Sequence, residues 1–92
     1  MSDVTIVIPN YNGAAYLEAC LRSVFEQTGV LLEVIVVDNG SSDKSRDYIR
    51  EHFPKCRLIC LDQNYGFCRA VNEGIKRAES PYVILLNNDT EV

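Results

Sequence analysis

At 92 residues and 10.4 kDa the chain has room for one domain, and a chain of this size buries only about 60–65% of the surface its unfolded form exposes, so it supports a single small core. Apolar residues make up 47% of it and charged residues 24%, a soluble globular composition that excludes disorder. Acids outnumber bases 13 to 9 for a formal charge of −4, and the bases are scattered from Arg22 to Arg77. This excludes direct nucleic-acid binding, which needs a basic stripe to neutralise phosphates.

The first apolar run is Val4-Thr5-Ile6-Val7-Ile8. It is continuous and rich in β-branched residues, as expected for a strand covered on both faces. Leu17, Cys20, Leu21, Val24 and Phe25 then recur at helical spacing and draw one apolar stripe. A second run, Val34-Ile35-Val36-Val37, leads into a weaker helix carried by Tyr48, Ile49 and Phe53, with Asp43 as its expected N-cap and Pro54 as its stop. A third run, Leu58-Ile59-Cys60-Leu61, precedes a helix whose stripe reads Phe67, Ala70, Val71, Gly74, Ile75 and Ala78. Ser80-Pro81 ends it before the last run, Tyr82-Val83-Ile84-Leu85-Leu86. Apolar runs of about five or six residues are far too short to span a membrane. The alternation β-α-β-α-β-α-β predicts an α/β fold, a parallel sheet joined by right-handed crossovers with helices on both faces.

Each strand ends in a polar turn: Pro9-Asn10-Tyr11-Asn12-Gly13, Asp38-Asn39-Gly40-Ser41-Ser42-Asp43, Asp62-Gln63-Asn64-Tyr65-Gly66 and Asn87-Asn88-Asp89. A parallel sheet gathers all four at its carboxyl edge, where open α/β sheets bind ligands, and the helix N-termini that follow favour anions. Such residues also populate ordinary turns and caps. The pattern therefore says only that an anionic ligand belongs at this edge. Neither GxGxxG nor GxxxxGK[ST] is present, so a glycine cradle for a dinucleotide or a P-loop is excluded. The four cysteines form no CxxC pair, and His52 stands alone, which argues against zinc. No signal peptide precedes them, and reduced, mostly buried thiols in the cytosol are expected.

Four blocks carry a resemblance. Val7-Ile8-Pro9-Asn10-Tyr11-Asn12, then Val36 to Asp43, then Asn64 to Gly74, then Leu85-Leu86-Asn87-Asn88-Asp89 are similar, in order, to the signature blocks of family 2 glycosyltransferases, and the last resembles the rhamnosyltransferase-like branch. The resemblance implies a truncated GT-A fold of strand order 3-2-1-4 over residues 1–92, forming the nucleotide-sugar-binding subdomain of an inverting enzyme. It implies that Pro9 and Tyr11 lie against the nucleobase and that Asp38, acceptor-only when ionised, takes a hydrogen bond from the ring N–H of uracil or thymine. Arg69 would approach the nucleotide, Asn88 would join it, and Asp89 would hold Mg²⁺ or Mn²⁺ against the diphosphate. Asn87 and Asn88 stand where many relatives carry an acid, which weakens the metal expectation. Arg69 has a plainer reading as an ion-paired partner of Glu73, and Asp89 as a cap.

The implied donor is a UDP- or dTDP-sugar carrying rhamnose or another hexose, and the acceptor a glycan or lipid-linked sugar of the cell envelope. The implied location is cytoplasmic, peripheral at the inner face of the membrane. No catalytic residue is assigned, because no acid here matches the family's general base. A donor-binding fragment without turnover, prone to self-association, is the expectation. The competing reading is a non-catalytic nucleotide-binding or regulatory α/β module.

Overall fold

A computed structural model describes residues 3–27 and 31–88. Among these residues four strands alternate with three helices: β1 (Val4–Asn10), α1 (Ala14–Phe25), β2 (Leu32–Asn39), α2 (Ser45–His52), β3 (Arg57–Leu61), α3 (Phe67–Arg77) and β4 (Tyr82–Leu85). All strand pairs are parallel, and the order is β3-β2-β1-β4, as expected. The register sets Val4 of β1 beside Leu32 of β2 and Tyr82 of β4.

Side chains alternate across a strand, so β1 and β2 each feed two cores. Ile6, Ile8, Val34 and Val36 face one side, where Leu17, Cys20, Leu21 and Val24 of α1 and Ile49 of α2 cover them. Val7, Ile35 and Val37 face the other and pack on Ala70 of α3. Both faces of the two central strands are thus dry, which is why their sequences run apolar without alternation.

The α3 stripe sits differently from its reading in the sequence. Ala70 and Gly74 are its buried residues, whereas Phe67 and Ile75 are 53% and 47% exposed. The helix lies so close to the sheet that a Cβ on Gly74 would come within 2.4 Å of Val7 Cγ1. Small residues therefore take the contact, and the large ones are turned to the flanks.

Two further expectations are corrected. Strand β4 is not covered on both faces: Tyr82, Val83, Ile84 and Leu85 are 70%, 40%, 50% and 44% exposed. It is an edge strand, and α1 and α3 pack over the central strands instead. Of the cysteines only Cys20 and Cys56 are buried, while Cys60 and Cys68 are exposed. Burial pushes the Cys56 thiol up to about 12, which makes it an inert core group.

The amino edge is closed by Glu33. Its Oε1 accepts from Thr5 Oγ1 (2.6 Å) and from the Glu79 N–H (3.0 Å), and Arg57 lies 3.8 Å from its other oxygen. No helix among the described residues is long and apolar enough to cross a membrane.

Gly74→Ala tests the close α3 contact. An added methyl meets a fully buried β-branched side chain, so overpacking of about 1–3 kcal/mol outweighs the roughly 1 kcal/mol by which Ala improves a helix. A lower urea midpoint with unchanged secondary structure is the expected outcome.

Candidate functional site at the carboxyl edge

The turns at the carboxyl edge are bonded to one another before any ligand is considered. Asn12 sits in the left-handed region (φ 51), which an Asn tolerates, and this aims its side chain across to the next turn. Its Oδ1 accepts from the backbone N–H of Ser42 (2.8 Å) and Asp43 (3.1 Å), and its own N–H donates to Ser41 Oγ (2.9 Å). Asp43 bonds the first N–H of two helices at once, Ala14 of α1 (3.1 Å) and Ser45 of α2 (2.9 Å). It also accepts from the Ser45 hydroxyl. The N-cap position of α2 is Lys44, not Asp43 as expected; the Asp43 carboxylate, one residue earlier, takes the first N–H of α2 and that of α1 as well. A carboxylate here satisfies orphan donors and opposes both helix dipoles, so these two N-termini are not open to a ligand anion. In the third turn Gly66 adopts φ 93, and Gly40 (φ 80) approaches so closely that a Cβ would fall 2.4 Å from the Gln63 carbonyl carbon.

Asp38, at the end of β2, is fully buried. Its Oδ1 accepts from Asn10 Nδ2 (3.0 Å) and Ser41 Oγ (2.6 Å), and its Oδ2 from the Ser41 N–H (3.0 Å) and Arg46 Nε (2.6 Å). Arg46 also donates to the Leu61 carbonyl (2.6 Å), so one guanidinium fastens β2, α2 and β3 together. Burial pushes the Asp38 carboxyl up, but the bonds from Ser41, Arg46 and Asn10 outweigh it and hold it below the usual carboxylate range. A carboxylate offers about four acceptor sites, and all four are in use. The expectation that Asp38 presents a free lone pair to a base is not met in this structure.

The neighbouring residue faces the other way. Asn39 lines an open cavity of about 420 Å³ together with Pro9, Asn10, Tyr11, Asn64, Gly66, Phe67, Asn87 and Asn88. That volume lies within the range of small-molecule sites, about 300–1,000 Å³. Asn39 Nδ2 donates to Asn64 Oδ1 (2.9 Å) and the Gly66 carbonyl (3.1 Å), and its Oδ1 accepts from the Tyr65 N–H (3.0 Å), which folds the β3–α3 turn onto the strand end. Asn10, 2% exposed, donates to Asp38 and accepts from Asn88 Nδ2 (2.8 Å).

Of the expected site residues, the structure therefore brings together Pro9, Tyr11 and Asn88, with the Tyr11 ring half exposed. Asp38 stands behind the wall. Arg69 is off the cavity: its guanidinium lies 4.8 Å above the Tyr65 ring and pairs with Glu73 at 3.4 Å. Asp89 lies outside the described residues. Asn10 and Asn39 were missed by sequence reasoning. Counting the period of two past the apolar run would have placed Asp38 and Asn39 on opposite faces. Among the described residues no three His, Cys, Asp or Glu side chains gather into a metal site, so no metal-assisted step is derived from them.

Removing the Asp38 carboxylate leaves Arg46 and Asn10 without their acceptor. Asp38→Ala is expected to cost roughly 3 kcal/mol, the low end for a broken buried pair, because Arg46 remains 31% exposed. The folded-state pKa of Asp38 lies below that of an unfolded Asp, about 3.9. Its stabilisation is therefore complete above about pH 5 and is lost as pH falls through the folded-state value. Urea midpoints of the wild type should drop on acidification below about pH 4, and those of Asp38→Asn should drop less steeply.

The chain resembles known proteins along nearly its whole length. It is 32% identical over 96 residues to a teichoic acid poly(glycerol phosphate) polymerase of Staphylococcus epidermidis, covering all of this chain and 13% of that one. It superimposes with a TM-score of 0.84 and 27% identity on S. aureus TarS 1-349 in complex with UDP-GlcNAc, covering 95% of this chain and 26% of the other. The mannosyltransferase PcManGT of Pyrobaculum calidifontis, in complex with GDP-Man and Mn²⁺, gives a TM-score of 0.84 at 28% identity, covering 99% of this chain and 30% of the other. The four-stranded parallel sheet in the order β3-β2-β1-β4, with its helices, matches these GT-A nucleotide-diphospho-sugar transferase neighbours. The model of glycosyl transferase family 2 matches residues 5–92, and the chain belongs to that family.

Proposed function

We propose that this chain is the donor-binding part of an inverting glycosyltransferase acting in cell-envelope polysaccharide synthesis, cytoplasmic and peripheral at the inner face of the membrane. Its donor in this reading is a UDP- or dTDP-linked hexose, with rhamnose suggested by Asn87-Asn88-Asp89, and its acceptor a glycan or lipid-linked sugar. The observation that carries the reading is the cavity itself, lined by the Pro9–Tyr11 turn, by Asn39 and the turn before α3, and by Asn87–Asn88. It lies at the carboxyl edge, where the fold places ligands.

The wall chemistry suits a nucleoside diphosphate. Tyr11 offers an aromatic face for a base, and the amides around it both donate and accept. The N-terminus of α3, which has no side-chain cap, faces the same edge and favours phosphate. Arg69, one turn in, needs to exchange its Glu73 contact for a phosphate to take part. A divalent cation, Mg²⁺ or Mn²⁺, enters this reading through Asp89 and would offset the charge of the leaving diphosphate. The Mn²⁺ bound by the mannosyltransferase neighbour supports it. No described acid is placed to take a proton from an acceptor hydroxyl, so the reading gives these residues donor binding alone.

Titration with UDP, dTDP and GDP, with and without Mn²⁺, while following the melting temperature tests it. A ligand at a hundred times its Kd stabilises by about 2.7 kcal/mol, and a rise with UDP or dTDP that grows with Mn²⁺ is expected. Tyr11→Ala should weaken that binding about tenfold or more, since base stacking on an aromatic ring contributes about 1–3 kcal/mol. A flat response to all three nucleotides would overturn the proposal.

The same reading includes self-association of this chain. Strand β4 presents four exposed apolar residues and none of the charges that guard natural edges. Sedimentation should show a concentration-dependent dimer or larger species that Ile84→Lys abolishes; a monomer at all concentrations removes this part.

A further inference from the structure

Resting on the donor-site reading, we infer that Asp38 is a positioning residue: its buried carboxylate fixes the direction of a chain of amides so that Asn88 offers its carbonyl oxygen, not its NH₂ group, to the cavity. The geometry is a line of four side chains crossing three strand ends. Arg46 donates to Asp38, Asn10 Nδ2 donates to Asp38 Oδ1 at 3.0 Å, and Asn88 Nδ2 donates to Asn10 Oδ1 at 2.8 Å.

The two ends of an amide are alike in shape, so packing alone does not choose between them. The carboxylate does. It can only accept, so Asn10 must turn its NH₂ inward and its oxygen outward. That oxygen can only accept in turn, so Asn88 must turn its own NH₂ toward Asn10. The Asn88 Nδ2 lies over Gly13, where a Cβ would come within 2.0 Å of it, so this end of the amide is held in a slot that only glycine leaves open. The remaining end is Oδ1, which has no hydrogen-bond partner among the described residues. Asn88 thus brings an acceptor to the cavity it lines, suited to a hydroxyl or bound water of the donor, one residue before Asp89.

Because the mechanism is one of direction, it can be reversed. With Asn at position 38, the new amide can donate to Asn10 Oδ1. Asn10 then turns its NH₂ toward position 88, where the wild-type Asn88 would have to present its oxygen inward and its NH₂ to the cavity. Asp at position 88 can accept that NH₂ and still offer a second oxygen outward. The experiment measures UDP affinity by calorimetry, at one fixed Mn²⁺ concentration, for the wild type, Asp38→Asn, Asn88→Asp and the double variant. It follows the melting temperature and the side-chain amide resonances of each in parallel.

Asp38→Asn is expected to weaken UDP binding about tenfold, the worth of one hydrogen bond, while the Asn88 amide resonances shift. The double variant should bind more tightly, and melt higher, than either single variant. A merely structural Asp38 would instead give a double variant at least as impaired as the worse single. That outcome, or unchanged Asn88 amide resonances in Asp38→Asn, would overturn the inference. If the wild type fails to bind UDP, the donor-site reading falls, and the amide resonances and melting temperatures still decide the direction of the chain.

Discussion

The buried Asp38 carboxylate is the constraint on which the carboxyl edge depends. A charge at the end of a dry central strand is tolerable only if its hydration is replaced, and the replacement comes from three directions: Arg46 of α2, Ser41 of the following turn and Asn10 of the neighbouring strand. Satisfying one carboxylate thereby fixes the relative positions of β1, β2 and α2. Arg46 adds β3 through the Leu61 carbonyl, and Asn10 adds the end of β4 through Asn88. All four strand ends are tied to one buried charge.

Around that charge the turns behave as a single piece. Asn12 and Asp43 bond the first turn to the second, and Asn39 bonds the second to the third. In each case a short polar side chain takes up backbone donors that a turn leaves unpaired. In the cavity wall Asn10 and Asn39 are thus held by hydrogen bonds on both ends of their amides, while Tyr11 and Phe67 stand half exposed. A preformed wall with free aromatic faces suits a planar base. Asp43, by contrast, takes the first N–H of both α1 and α2, whereas α3 has no side-chain cap.

The two halves of the core differ in kind. On the α1 and α2 side large aliphatic side chains interlock. On the α3 side the helix rests on Ala70 and Gly74 and comes close to the sheet. Close approach brings the N-terminus of α3 to the strand ends, next to Gly66 and the cavity, but it leaves Phe67 and Ile75 without cover. Like the four residues of β4, they are apolar side chains left exposed among the described residues.

The sequence by itself determined the α/β alternation, and its resemblance gave the strand order and the family, because strand periodicity, helix stripes and turn chemistry are local and each is written in a few consecutive residues. The resemblance also set Pro9, Tyr11 and Asn88 beside a nucleotide, and the structure places all three along one cavity. What the sequence left open was orientation. Whether the strand end presents Asp38 or Asn39 to the cavity depends on which face α3 covers, and whether Phe67 or Ala70 meets the sheet depends on how closely that helix can approach. Whether Arg69 turns to the cavity or to Tyr65 and Glu73 depends on the neighbours it finds after folding. These are contests between residues distant in the chain, decided by burial and hydrogen-bond satisfaction, and only the tertiary structure holds them.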